Sequence, residues 1–209
     1  MTAPIQAIIF DFGGVLLEWD PHALYRRFID QPQQIDQFLA EVGFATWNAE
    51  QDRGRPFAEG IAELSSQFPH HAHLIRTYYD HWEDSIVGPI PGTVAILRKL
   101  KRAGYPLYGL SNWSAETFPK VRKRYAFFDL LDDILLSGDA KMLKPDPAIF
   151  NLLLSKIGYP SRNCLLIDDS QSNIVAAKSL GFNTIHFKSP GQLQSELQRH
   201  HLLNEQKKE

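Results

Sequence analysis

Ile8-Ile9-Phe10-Asp11-Phe12-Gly13-Gly14-Val15-Leu16-Leu17 sets the frame for the rest of the chain. Ile5 to Phe10 is a short apolar run with β-branched residues, the pattern of a strand buried on both faces. It stops at Asp11, which is followed by Phe12 and the pair Gly13–Gly14. A carboxylate at the carboxyl end of a central strand stands where open α/β sheets place their ligands. Glycines behind it permit positive φ and let an ion or ligand come close to the backbone. An ordinary Asp-x-Gly turn has the same local look, so the later strand ends have to decide between the two.

The next convincing strand does not come until Pro106 to Leu110, too far along for a loop in a compact domain. The sequence between is helical in period. Pro21 follows Asp20 at a first helical position, with Leu24, Phe28 and Ile29 at helical spacing. Ile35, Phe38, Leu39 and Val42 make a second stripe, Phe57, Ile61, Leu64 and Phe68 a third, and Leu74, Ile75, Tyr78, Tyr79 and Trp82 a fourth. Amphipathic helices of this length bury their stripes against one another. Residues 16–87 are therefore expected to be a helical subdomain inserted after the first strand, with residues 1–15 and 88–209 forming the core.

Strands and helices then alternate. A helix from Pro91 ends at Gly104, and the strand Pro106 to Leu110 runs into Ser111-Asn112. Ser114 is expected to cap a helix, and Ile134 to Leu136 is a third strand. Asp146 caps a helix with Pro147 at its first position, and Gly158 closes it. Cys164 to Ile167 is a fourth strand ending in Asp168-Asp169. A helix to Gly181, the strand Thr184 to Phe187 and a last helix from about Pro190 complete the pattern, and the polar tail from Asn204 is expected to fray. The fold class is α/β: a doubly wound parallel sheet carrying one inserted helical subdomain.

The strand ends gather chemistry. Asp11, Ser111 with Asn112, and Asp168 with Asp169 fall on one edge of a parallel sheet, and Lys144 precedes the helix leading to the fourth strand. Crowded carboxylates repel one another and hold protons, a conflict that a divalent cation removes. Oxygen donors without His or Cys indicate Mg²⁺. Ser111, Asn112 and Lys144 suit an oxyanion, so the set describes a phosphoryl-transfer site, with Asp11 able to act as a carboxylate nucleophile. Taken singly, each part has a plainer reading: a capping turn at Ser111-Asn112, a surface lysine at Lys144, an acidic helix start at Asp168-Asp169. It is their occurrence together, in order on one sheet, that favours a site.

In that order, Asp11-Phe12-Gly13-Gly14-Val15, Ser111-Asn112, Lys144-Pro145-Asp146 and Asp168-Asp169-Ser170 resemble the four motifs of the haloacid dehalogenase-like (HAD) hydrolase superfamily. The resemblance spans nearly the whole chain, the helical cap included. It implies a Rossmann-like core, a mobile cap enclosing the substrate, and Mg²⁺-dependent phosphatase chemistry through an aspartyl-phosphate. By the same resemblance Asp11 is nucleophile and metal ligand, and the Gly13 carbonyl a further ligand. Ser111 and Asn112 hold the phosphoryl group, and Lys144 neutralises it and orients Asp11. Asp169 binds the metal directly and Asp168 through water.

One departure stands out. Phosphatases of the superfamily commonly carry a second Asp two residues after the nucleophile as general acid and base, and here that position is Gly13. Such a group is typically worth ~10²–10⁴-fold in rate. A glycine there resembles one branch of small sugar-phosphate phosphatases, including those acting on glucose 1-phosphate. An anomeric oxygen is a better leaving group than a simple alcohol, so weaker acid help is expected to suffice there. The glycine disfavours a mutase. Two rivals stand beside the phosphatase: a metal-independent 2-haloacid dehalogenase, whose usual first motif has Tyr-Gly-Thr where this chain has Gly13-Gly14-Val15, and a non-catalytic binding protein of the same fold.

Composition narrows the partners. The 209 residues are 44% hydrophobic and 22% charged, with net charge −2, so neither nucleic acid nor an acidic membrane is expected as a partner. Arg122-Lys123-Arg124 reads as a solvated helix end, and Cys164, the single cysteine, as a core residue. With no signal-peptide pattern and no apolar run near ~18 residues, a cytoplasmic monomer or homodimer acting on a small phosphorylated substrate is expected. Trp19, Trp47 and Trp113 are placed near the entrance, able to stack on a sugar or simply to pack, and Arg53-Gly54 lies in the cap. His70, His71 and His73 are read as solvent-facing and given no role.

Overall fold

The computed structural model describes residues 4–203, so the tail from Asn204 lies outside them. Ala7–Phe10 forms β1, with every residue buried. Ile8 and Phe10 enter one apolar cluster while Ala7 and Ile9 enter another, so the strand is covered on both faces. Each large aliphatic or aromatic side chain buried this way stabilises the fold by roughly 1.5–3 kcal/mol.

Beyond the site turn, Leu17–Trp19 forms β2, which leads into α1 (Pro21–Tyr25), α2 (Pro32–Glu41), α3 (Phe44–Asp52), α4 (Phe57–Gln67) and α5 (Ala72–Asp80). The chain returns through β3 (Ile86–Pro89), antiparallel to β2. This two-stranded ribbon, through which the helical segment leaves and rejoins the core, was not foreseen: its strands are three and four residues long and partly exposed, too short to show a period. Helix α3 was missed for a related reason. Its sequence, Phe44-Ala45-Thr46-Trp47-Asn48-Ala49-Glu50-Gln51-Asp52, has no apolar stripe, and one of its buried residues is Gln51. Helix α1 is shorter than expected, ending at Tyr25 before Phe28 and Ile29.

The core continues with α6 (Pro91–Arg102), β4 (Leu107–Ser111), α7 (Phe118–Arg124), β5 (Asp133–Leu136), α8 (Ser137–Ala140), α9 (Pro147–Ile157), β6 (Cys164–Asp168), α10 (Gln171–Ser179), β7 (Asn183–His186) and α11 (Pro190–Arg199). The strands form one parallel sheet in the order β5-β4-β1-β6-β7. Leu97 of α6 and Leu193 of α11 join the cluster of Ile8, while Ile149 of α9 and Ala177 of α10 join that of Ile9, so helices cover both faces. The first cluster also takes in Leu24, Tyr25, Phe38, Phe57 and Tyr78 from the inserted helices, making one continuous apolar mass of the insertion and that face of the sheet. Asp146 caps α9 as expected, accepting from the Ala148 N–H at 2.8 Å. Ser114 instead closes a turn, and α7 starts at Phe118, later than expected. Cys164 is buried in the second cluster. Among the described residues no helix is long and apolar enough to cross a membrane.

Candidate active site

The strand order puts β1 between β4 and β6, where the winding of the sheet reverses direction. The crevice at such a switch point, outside the strand carboxyl ends, is where open α/β sheets bind ligands. Asp11 follows β1, Ser111 ends β4 and Asp168 ends β6, so all three arrive at this crevice from adjacent strands.

Asp11 is held from three sides. Its Oδ1 accepts from the Phe12 N–H at 2.7 Å and from the Ser111 hydroxyl at 2.8 Å, and Lys144 Nζ stands 3.0 Å from its Oδ2. Burial pushes the Asp11 carboxyl up to about 6; Lys144 opposes the rise and Asp168 adds to it. Phe12 anchors the turn from behind, stacking on Phe118 at 5.7 Å and meeting Phe128 edge-on at 4.9 Å.

Lys144 is itself buried and donates to Asp168 Oδ2 at 2.6 Å and to the Leu110 carbonyl at 2.9 Å. Burial works against its charge, but Asp11 and Asp168 outweigh that and raise its pKa. Asp168 is fully buried and well satisfied: the Asn173 amide donates to its two oxygens at 3.0 and 3.1 Å, and the Ser170 N–H to Oδ1 at 2.8 Å. Asn112 makes a two-point clasp with the main chain of Lys144, donating to its carbonyl at 2.9 Å and accepting from its N–H at 2.8 Å. One amide hydrogen of Asn112 is left unused by this clasp.

Asp169 is the exposed member of the acidic pair, and one oxygen each from Asp11, Asp168 and Asp169 lie within 4.8 Å of one another. Burial, and then the neighbouring Asp168, raise the Asp169 pKa. Gly14 makes this approach possible. It has φ +72°, and a Cβ there would stand 2.2 Å from Asp169 Oδ2. At Gly13 a Cβ would meet nothing within 4 Å. Oxygen-only donors around a single buried ammonium leave negative charge uncompensated, so these residues fit a hard divalent cation.

A cavity of about 120 Å³ opens beside Gly13 and Asn112, walled by Trp19, Tyr78, Trp82 and Trp113, with Asn48 and Asp52 reaching into it from α3. Trp19 and Trp113 thus stand where expected, and Trp82 joins them. Trp47 belongs to the packing of the insertion, its indole N–H bonded to the Gly60 carbonyl at 2.9 Å. Arg53 pairs with Glu50 at the surface. Gly54, at φ +103°, lies so near α8 that a Cβ would stand 2.5 Å from the Gly138 carbonyl. His70 and His71 both turn to Glu41, at 2.9 and 3.1 Å.

The family model for haloacid dehalogenase-like hydrolases matches residues 5–181. The chain belongs to this family. As a HAD-like hydrolase it is 26% identical to a sesquiterpene phosphatase, astK, of Aspergillus oryzae over 89% of this chain and 91% of that one. It is 30% identical to (S)-2-haloacid dehalogenase 4A of Burkholderia cepacia, covering 91% of this chain and 86% of that one. Its structure matches that of a HAD family enzyme from Bacteroides thetaiotaomicron with a TM-score of 0.72 at 25% identity, covering 90% and 95% of the two chains. The Bacteroides enzyme has also been solved in complex with magnesium and inorganic phosphate.

Two parts of the site escaped the sequence reading. Asn173 had a weak signal, since it sits in the first turn of the helix after Asp168. Asp52 and Asn48 had none, because α3 shows no period and nothing local says what they face.

Proposed function

We propose that this HAD-like hydrolase is a Mg²⁺-dependent phosphatase of a small phosphorylated metabolite, with Asp11 as the nucleophile. The observation that carries the reading is the meeting of three carboxylates, from Asp11, Asp168 and Asp169, within 4.8 Å beside the buried Lys144. The phosphatase named among its relatives and the magnesium and phosphate complex of its structural neighbour support it. Asp11, Asp169 and the Gly13 carbonyl would hold the ion, with Asp168 at one remove because its oxygens already serve Lys144, Ser170 and Asn173. The ion, when bound, supplies positive charge against the phosphoryl oxygens.

The chain's own groups do the rest. Ser111 and the Phe12 N–H hold Asp11 Oδ1 in place, which fixes the direction of attack. Asp11 attacks phosphorus, the bond to the leaving oxygen breaks, and an aspartyl-phosphate forms; water then releases inorganic phosphate and frees Asp11. Lys144 offsets the charge gathering on the phosphoryl oxygens. Residues 16–87 act as a cap over a core of 1–15 and 88–209. The aromatic walls of the cavity suit the apolar face of a sugar ring, which puts sugar phosphates first among substrates.

The dehalogenase reading has one relative's name in its favour. Against it, Asp168 and Asp169 would repel a carboxylate substrate at short range. A screen over sugar, terpenyl and simple organic phosphates decides the matter: phosphate release abolished by EDTA is expected. Asp11→Asn should keep the far-ultraviolet circular dichroism and lose turnover almost completely. Retained turnover, or halide release from 2-chloropropionate without metal, would overturn the reading.

A further inference from the structure

We infer that Asp52, from the inserted helix α3, is the general acid and base that position 13 lacks; the inference rests on the phosphatase reading above. Asp52 lines the same cavity as Gly13, on a different element. The cavity is open at Gly13, where a Cβ would meet nothing within 4 Å. The cavity that Gly13 borders is thus also lined by an acidic residue supplied from the insertion.

Asp52 is aimed by neutral groups. Its Oδ1 accepts from the Ser114 N–H at 3.1 Å, and its Oδ2 from the Asn48 amide at 2.9 Å. Asn48 is fixed in turn by the Tyr78 hydroxyl, which donates to its Oδ1 at 3.1 Å. The main-chain carbonyl of Asp52 accepts from the Ser137 hydroxyl, which ties the end of α3 to the core beside β5. Among the described residues no lysine or arginine pairs with the carboxyl, and Trp19, Trp82 and Trp113 wall the same space. Burial lifts Asp52 from 3.8 to about 7, against the pull of the Ser114 N–H. A carboxyl of that kind is half-protonated near neutrality, the condition that suits a proton shuttle.

The step balances without a further reactant. As Asp11 attacks phosphorus and the phosphorus–oxygen bond of the ester breaks, the Asp52 carboxyl gives its proton to the leaving oxygen, which departs as the alcohol. Asp52, now a carboxylate, takes a proton from the water that attacks the aspartyl-phosphate. Phosphate leaves, Asp11 is again a carboxylate and Asp52 again a carboxylic acid.

The test compares Asp52→Asn with wild type on two esters, 4-nitrophenyl phosphate, whose phenolate leaves without a proton, and glycerol phosphate, whose alkoxide does not. The amide keeps an oxygen for Ser114, and Asn48 can flip to meet its NH₂, so the cavity is preserved. The expected result is a kcat/KM ratio, nitrophenyl over glycerol, that rises by ~10² or more in the variant. An equal fall on both esters would show that Asp52 only holds α3 against the core, and an unchanged ratio with unchanged rates that it does nothing; either overturns the inference. Should D52N fail to fold by circular dichroism, Asp52→Ser is read the same way. Wild-type enzyme inactive on both esters and throughout the phosphate screen would instead sink the phosphatase reading itself, a result visible before any variant is made.

Discussion

Lys144 and Asp168 form an ion pair of 2.6 Å from which water is shut out, their side chains 1% and 0% exposed. The pair ties the loop before α9 to the end of β6 and points the ammonium at Asp11. A buried charge left without its partner is costly, even where the intact pair adds little net stability.

Asp168→Asn is therefore expected to destabilise the protein by about 3 kcal/mol, the lower end of the range because Lys144 keeps its contact with Asp11. The urea midpoint reads it. A loss below about 1 kcal/mol would mean that water reaches Lys144 and takes over from the carboxylate.

The two glycines after Asp11 should respond differently to the same substitution. Gly14→Ala sets a methyl group 2.2 Å from Asp169 Oδ2 in a backbone with φ +72°, so the Asp169 carboxylate has to move. The expected outcome is a loss of about 1–2 kcal/mol in stability, together with a fall of ~10-fold or more in Mg²⁺ affinity by calorimetric titration. Gly13→Ala meets no atom within 4 Å, and its stability should stay within about 0.5 kcal/mol of wild type. Equal effects at both positions would contradict the geometry of the turn.

Asp52 makes a prediction about pH. Its carboxyl lies at 3.8 unfolded and about 7 folded, so the folded state binds the proton more tightly. The stability this confers is complete below about pH 4 and is lost as pH rises through about 7. Asp52→Asn removes the titration, so the variant should gain several degrees of Tm relative to wild type between about pH 4.5 and about pH 8. Asp11 and Asp169, also raised, contribute the same slope to both proteins and drop out of the difference. A Tm difference that stays flat with pH would show Asp52 to be ionised throughout.

Much of the site was legible because most of its parts sit at the ends of strands, and strand ends are local features. An apolar run that stops at Asp11, Ser111 or Asp168 reveals its own boundary, and parallel topology then forces those ends onto one edge. Capping chemistry placed Asp146 and the start of α9 by the same local logic. Short or period-free pieces were not legible: β2 and β3 have too few residues to alternate, and α3 buries Gln51 where a stripe would have an apolar residue.

The α/β class, the long helical insertion after the first strand and the grouping of Asp11, Ser111, Lys144, Asp168 and Asp169 are readable from the amino-acid order, because apolar period and strand ends are written in neighbouring residues. What each of these groups touches comes from the packing of distant segments. That packing set β1 between β4 and β6, gave the Asn112 side chain to the main chain of Lys144, and brought Asp52 into the cavity at Gly13. Burial and hydrogen bonding of a polar side chain depend on segments far away in the chain, and those are the terms that set its charge and so its chemistry.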